Sequence, residues 1–407
     1  MRVLLYFLFF LVGGNSLIGQ NYYYSLEETQ ETIPQNAIVI STVEQLIANI
    51  KSGATLYLLS GTYTLTSRIN LRNIYNLNIS GADGVIIEGN LENLIRFEEE
   101  AQNITFKNIG FNSIYTSKSL DYGGLIYFNN ASAENILFDG CNFTCPYTNT
   151  NGLKFVSQGP YRSKNIVIIN SKFQDIGRMA IETVNHDADD VVRIEDITVK
   201  NCSFNNLGTA SIYGMAVSLS GTGRNAIISN NTIVDARDRG IENVAWDNVI
   251  IQDNTLTSIK NAYNPISMNR RSGGSKYMTG VSVTGNSGTV SGSDPHLIEL
   301  YNCDGLEYSE NSFNADALHL NDVKNSTFTN NFHSSDGGIG LYVEDKSNNN
   351  SFYDNTLITT RDYAVTIFFF SGATGNTLNR NEVIRTGIGG SKYVDEDGGN
   401  INLDLPY

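Results

Sequence analysis

Between about residue 76 and residue 383 the chain repeats one short pattern of apolar and polar positions. A small turn residue is followed by an apolar residue and, two positions on, by another. A small polar residue, a spacer and a third apolar residue complete the copy. Asn165-Ile166-Val167-Ile168, Ser171 and Phe173 spell one copy; Asn248-Val249-Ile250-Ile251, Asn254 and Leu256 spell another; Asn349-Asn350-Ser351-Phe352, Asn355 and Leu357 spell a third. The small polar position is filled in order by Cys141, Ser171, Cys202, Asn231, Asn254, Asn286, Asn311, Asn331, Asn355 and Asn381. Copies recur every ~20 to 32 residues, the spacing of solenoids. Alternation inside each copy has period two, so the units are strands.

Each copy also holds a further strand, before the next copy begins. The set runs Ile95-Arg96-Phe97, Ile126-Tyr127-Phe128, Leu153-Lys154-Phe155, Ile181-Glu182-Thr183, Val217-Ser218-Leu219, Ile241-Glu242-Asn243, Ile266-Ser267-Met268, Ile298-Glu299-Leu300, Leu318-His319-Leu320, Leu341-Tyr342-Val343 and Val365-Thr366-Ile367. Period-two geometry turns the flanking residues inward and the middle residue outward. Parallel stacking of these strands makes one sheet with an exposed column of middle residues.

The ends of the chain break the pattern. Ile38-Val39-Ile40 reads as a short strand, and Ser41-Thr42-Val43-Glu44 fits a capping box. Val43, Leu46, Ile47 and Ile50 follow at helical spacing, predicting an amphipathic helix that ends near Gly53. A solenoid end exposes a dry core and unpaired strand edges, and this helix is the expected lid. Short strands follow at Leu56-Tyr57-Leu58 and Tyr63-Thr64-Leu65, and the end after Ile384 reads as irregular. The expected boundaries are a signal peptide over 1–20, a flexible segment over 21–37, a solenoid over 38–395 and a tail over 396–407.

Three short strands per turn, an Asn ladder at a tight turn, an N-terminal helix and an export signal together resemble the right-handed parallel β-helix proteins of the pectin-lyase-like superfold. The stretch Leu-Tyr-Leu-Leu-Ser-Gly-Thr-Tyr before Thr64 is similar to the start of many secreted members. The resemblance implies an all-β, single-domain β-helix of about twelve turns with an N-terminal amphipathic helix cap. It does not fix an activity, since this superfold hosts lyases, hydrolases, epimerases and non-enzymatic surface proteins. No pectate lyase or polygalacturonase signature occurs in the chain.

Composition narrows the partners. The formal net charge is -15 over 407 residues, which argues against nucleic acid. It also disfavours a polyanionic substrate unless a local basic patch or a bound cation reverses the field. Arg2 followed by the apolar run from Val3 to Val12, with Gly13, Gly14, Ser16 and Gly19 beyond, reads as a cleaved signal peptide. Export to the periplasm or beyond follows, with no membrane attachment after cleavage. Cys141 and Cys202 fall two copies apart on the ladder, ~10 Å between Cα atoms and too far for a bridge. Cys145 and Cys303 belong to distant copies, so all four are expected as buried thiols. No phosphate loop, zinc motif, nucleophile elbow or nucleotide fingerprint is present.

The outward column gathers the candidate chemistry. Glu182, Glu242 and Glu299 recur on alternate copies, ~10 Å apart at Cα, and side-chain lean can bring such carboxyls to the ~6.5–9.5 Å of an inverting glycosidase. Lys154, His319 and Tyr342 share the column, and Tyr127 and Tyr342 offer sugar-stacking faces. The loop Val184-Asn185-His186-Asp187-Ala188-Asp189-Asp190 beside Glu182 offers Glu182, Asp187 and Asp189 as oxygen ligands for Ca²⁺. Arg237 and Arg239, in Asp235-Ala236-Arg237-Asp238-Arg239, would bind a carboxylate or pair with Asp235 and Asp238. Arg270, Arg271 and Lys276, with Lys260, form the basic concentration of an acidic chain. In such folds Arg, Lys, His or Tyr serves as the base of a uronate lyase, and Ca²⁺ or Arg neutralises the carboxylate. The resemblance thus makes Arg270, Arg271, Lys154, His319 and Tyr342 the lyase candidates. Asp294-Pro295-His296 matches three residues of a mannuronan C5-epimerase motif, without its preceding aromatics. His333 reads as a turn residue without a role. The sequence reading is a secreted protein acting on a polysaccharide, leaning to a lyase. A glycoside hydrolase using paired Glu, a glycan-binding surface protein and a C5-epimerase stay open beside it. Function is expected on the exposed sheet between Lys154 and His319, with Glu242 central.

Overall fold

The structure is a computed structural model. It describes residues 33–117, 123–188, 190–258, 264–270, 274, 276–290 and 297–404. The segment read as a signal peptide lies outside them. From Pro34 onward the chain forms one compact unit of parallel coils, each with three strands. Lys172–Ile176, Ser203–Leu207, Thr232–Ala236 and Thr255–Ser258 are members of a thirteen-stranded sheet, the second face. The first and third faces join in a twenty-five-stranded sheet. They join because Ile69–Gly81, Ile95–Lys107 and Gly124–Asp139 run through both without a break. Every strand pairs with its counterpart one coil away, in parallel; the chain is a parallel β-helix.

The corners explain why Asn recurs. Between the first and second faces each coil places one residue in the left-handed region, such as Asn170, Asn201, Asn230 and Asp253 at φ 53°, 55°, 55° and 54°. Asn and Asp tolerate that region better than other residues with a side chain. The next residue turns inward and is the ladder position. From Asn231 through Asn254, Asn286, Asn311, Asn331, Asn355 and Asn381, each amide Nδ2 donates to the next Oδ1 at 2.8–3.2 Å. The series ends on the Asp404 carboxylate at 2.9 Å. A second internal ladder, which the sequence reading missed, joins Asn350, Asn376 and Asn400 at 2.9 and 2.8 Å. A third, solvent-facing row at the opposite corner joins Asn76, Asn103, Asn135 and Asn165 through their amides, all at positive φ.

Inside, like residues stack on like. Phe97, Phe128 and Phe155 form one column of stacked rings, and Phe111, Phe143, Phe173 and Phe204 another. Cys141, Cys145, Cys202 and Cys303 are buried thiols, and burial pushes each up to about 12. Trp246 is fully buried against Gly223 of the preceding coil, where a Cβ would sit 2.1 Å from the indole.

Several details depart from the expectations. The cap helix is Val43–Asn49, shorter than expected, and its N-cap is Thr42, whose Oγ1 accepts from Gln45 N at 3.3 Å. Gln45 Oε1 accepts from Ser41 N in return, so the box sits one residue later than read. Leu46 is fully buried, but Ile47 is half exposed, because a two-turn helix covers the end with only one edge. At the other end, pairing continues past Ile384: Ser391–Asp395 adds to Val365–Phe369, and Ile401–Asn402 to Thr377–Asn379. His333 is no turn residue. It lies inside strand Phe332–Ser335, buried in register with Phe313 and Leu357. Among the described residues no helix is long and apolar enough to cross a membrane.

Candidate active site on the third face

Register fixes the outward column as Arg96, Tyr127, Lys154, Glu182, Ser218, Glu242, Ser267, Glu299, His319 and Tyr342. The next member is Phe368, so Val365-Thr366-Ile367 was read two residues early; Thr366 is buried. Glu and Ser alternate through the middle of the column. Carboxylates on adjacent strands would stand ~4.8 Å apart and repel. Each intervening Ser instead holds the Glu that follows it. Ser218 Oγ donates to Glu242 Oε2 at 2.6 Å, and Ser267 Oγ to Glu299 Oε2 at 2.7 Å.

At the centre a third carboxyl joins the two. Asp238 lies at the corner entering strand Arg239–Val244, with its backbone pinned between coils: its N–H donates to Gly214 O, and its carbonyl accepts from Asn264 N at 2.8 Å. Arg239 Nη1 stands 2.9 Å from Asp238 Oδ2 and 3.4 Å from Glu242 Oε1, so one guanidinium nitrogen spans both carboxyls. Burial pushes the Asp238 carboxyl up to about 6; Arg239 opposes the rise, and Glu242 and Glu299 add to it. Its side chain still keeps about a fifth of its surface open. A carboxyl that holds its proton to near-neutral pH, beside two others, is equipped for general acid work.

Downstream lies a hydrogen-bonded aromatic group. Tyr301, two residues after Glu299 on the same side of the strand, places Oη 2.8 Å from His319 Nδ1. His319 Nε2 is 3.0 Å from Glu344 Oε2. With the imidazole neutral, Tyr301 donates to Nδ1 and Nε2–H donates to Glu344. Burial opposes ionisation of Glu344, but hydrogen bonds from Asn321, Tyr342 and His319 bring its carboxyl below the ordinary value. Burial, then Glu299 and Glu344, raise the Tyr301 phenol. Tyr342 stacks on His319 with ring centroids 4.8 Å apart.

Upstream the structure corrects the sequence reading. Lys154 and Glu182 do point away from the core, but neither is exposed. Lys154 Nζ and Arg178 Nη1 each lie 2.9 Å from Glu182 Oε2, and Asn151 Nδ2 donates to the same oxygen at 2.6 Å. Burial alone would raise Glu182; Lys154 and Arg178 together bring it below the ordinary carboxylate value. The Glu182 carboxylate is thus held ionised between two cations, and Lys154 is committed to it. Tyr127 is buried with Val156 and Val184, its ring under the Arg96 guanidinium at 5.5 Å. Asp187 is paired with a cation of its own chain. Its Oδ2 accepts from Arg193 Nε at 2.5 Å and from Gly159 N at 3.2 Å, bracing two loops from adjacent coils. Among the described residues no set of three His, Cys, Asp or Glu is placed to hold a metal, and Asp189 lies outside them.

Two members of the basic patch lie among the described residues. Arg270 is exposed beyond the end of strand Asn264–Asn269, Lys276 pairs with Asp247, and Arg271 lies outside the described residues, as do Lys260 and Asp294-Pro295-His296. Arg237 is exposed and bonds Ser211 O at 3.4 Å, whereas Arg239 faces the carboxyls. Of the sequence candidates, Glu242, Glu299, Arg239, His319 and Tyr342 meet on one stretch of the face. Asp238, Tyr301 and Glu344 had been missed as functional residues. Reading each outward strand two residues further would have found Tyr301 and Glu344; Asp238 gave no signal, because its burial is set by other coils.

A scan of protein families finds no match to this sequence, and no curated protein resembles it closely enough to be counted a relative. Solved structures do resemble it in shape. DFA-IIIase from Arthrobacter chlorophenolicus A6, without its lid, matches over 90% of this chain and 94% of its own, with 13% identity and a TM-score of 0.50. The Streptococcus pneumoniae surface protein and adhesin PfbA matches over 90% and 100%, with 13% identity and a TM-score of 0.49. The A-module of Azotobacter vinelandii mannuronan C-5 epimerase AlgE6 covers the same shares, at 11% and 0.48. Likeness at such identities is likeness of fold.

Proposed function

We propose that the protein is an exported glycoside hydrolase acting on a neutral polysaccharide laid along the third face. The carrying observation is the bridging of Asp238 and Glu242 by Arg239, with Glu299 near enough to add to the rise of Asp238 to about 6. Asp238 protonates the glycosidic oxygen as the bond to the anomeric carbon breaks. Glu299, anchored through one oxygen by Ser267, takes a proton from the water that attacks that carbon. Glu242, held by Ser218 and Arg239, keeps Asp238 protonated and Arg239 in place. Glu242, Glu299 and Glu344 give this stretch a negative field, which favours an uncharged sugar chain over a uronate. That field, and the commitment of Lys154 to Glu182, turn the reading from elimination to hydrolysis.

Digestion of a panel of neutral and uronate-containing glycans tests it. New reducing ends without new ultraviolet absorbance are expected on a neutral glycan. Absorbance from an unsaturated uronate would instead make the protein a lyase. Binding without new reducing ends on any glycan would make it a binding protein.

A further inference from the structure

Beyond Glu299 the outward column changes character from ionisable to aromatic. His319, Tyr342 and Phe368 stand in register on successive coils. Phe370, at the next outward position just past the end of strand Val365–Phe369, is 39% exposed. Tyr342 meets Phe368 and Phe370 edge to face, with centroids 5.8 and 6.2 Å apart, and the two Phe rings lie 5.9 Å from each other. Only Phe369 of this run of three is turned into the core. Tyr342 and Phe368 are half-buried and Phe370 is exposed, so the rings keep apolar surface that their contacts with one another leave open.

We infer that Tyr342, Phe368 and Phe370 form a sugar-stacking subsite that holds the same glycan chain away from the bond being cut. This rests on the proposed hydrolase reading and extends it to where the substrate is gripped. The ring-carbon face of a pyranose is apolar and packs on an aromatic face, while its rim of hydroxyls needs polar partners. Glu344 and Asn321, bonded to each other at 2.7 Å on the adjacent coils, border the rings and supply them. The distance also fits. Phe368 is three strands beyond Glu299, ~14 Å along the stack, which a glycan rising ~5 Å per sugar spans in about three residues. Continuity of one register from the carboxyls to the rings is what assigns the platform to the substrate and not to a second protein.

Affinity electrophoresis tests this with the full chain, in gels carrying soluble starch, xylan, β-1,3-glucan, galactomannan or alginate. Retardation of the natural protein by at least one neutral gel is expected. Phe370→Ala and Phe368→Ala should weaken that retardation about tenfold or more in apparent Kd, and Phe368→Trp should restore or exceed it. Far-UV circular dichroism of each variant separates lost stacking from lost fold, and Phe370→Ala, at an open position, carries the test if Phe368→Ala misfolds. Equal retardation of the natural protein and Phe370→Ala overturns the subsite. So does hydrolysis of a glycan in solution with no retardation by its gel, an outcome that leaves the hydrolase reading standing. Cleavage of no glycan, with retardation still dependent on Phe370, would instead sink the hydrolase reading and keep the subsite.

Discussion

Phe332 and His333 exchange the places that the repeat assigns to them. Phe332 is 43% exposed and His333 is 2% exposed, with no hydrogen-bond partner on either ring nitrogen among the described residues. Burial pushes the imidazole down to about 4. Because the folded value lies below the ordinary ~6.5, the unfolded chain binds the proton first. Stability is therefore whole above pH ~6.5 and drains away as pH falls toward 4, by about 3 kcal/mol at most. His333→Leu should raise the urea midpoint at pH 4.5 and change it less at pH 7.5; an equal shift at both would mean the ring is not buried neutral. Asp238 titrates with the opposite bearing on function. Its proton leaves as pH rises through about 6, so activity should decline there. Asp238→Asn should cost about 10²–10⁴ in kcat. Glu242→Gln removes a charge that raises Asp238, so the falling limb of the pH profile should move to lower pH. A limb that stays put would assign it to another group. Neither residue was legible as chemistry from the sequence, since an Asp at a corner and a His after a Phe acquire their character from coils 20 or more residues away.

Strands and corners were far easier to read, because each is specified by a few consecutive residues. The internal Asn ladder followed from repeated turn residues, and its energetics can be tested at one rung. Asn254 donates to Ile228 O and Asn286 Oδ1, and its Oδ1 receives both Asn231 N and Asn231 Nδ2. Asn254→Leu strands these buried groups and should destabilise by about 1–3 kcal/mol in chemical denaturation. An unchanged midpoint would show that the rungs act independently of stability. The third-face strand Val365–Phe369 shows the limit of pattern reading. Val365-Thr366-Ile367 has the expected apolar–polar–apolar order, while the true register uses Ile367-Phe368-Phe369, whose outward residue is itself apolar. Polarity marks the outward side only where that side meets water alone. Close approach between coils was equally invisible. Gly223→Ala should drive a methyl into the Trp246 indole and cost about 1–3 kcal/mol, read as a lowered Tm with a perturbed tryptophan spectrum.

Across the whole stack, each coil is covered by the next, so the ends need separate protection. Leu46 is the fully buried residue of the cap helix, which contacts strands Ile38–Ile40 and Gly61–Leu65. Leu46→Asp should lift the helix and bare those strand edges, giving larger species in size-exclusion chromatography. A stable species of unchanged size would show that the end needs no lid. The pocketing of Lys154 and Glu182 is also a property of this scale. Arg178, four residues before Glu182, and Asn151, on the strand of Lys154, close over the pair from two adjacent coils, so an outward position was not an exposed one. The alternation of Glu and Ser on the third face bears, finally, on how such a chain can lengthen by descent. Tandem duplication of a single Glu-bearing coil would set two carboxylates abreast about 4.8 Å apart. Duplication of a single Ser-bearing coil would stretch the interval between successive carboxylates. From Glu182 to Glu299, then, heritable growth is confined to the loops or to coils gained in twos, while beyond Phe368 a gene may add repeats one at a time.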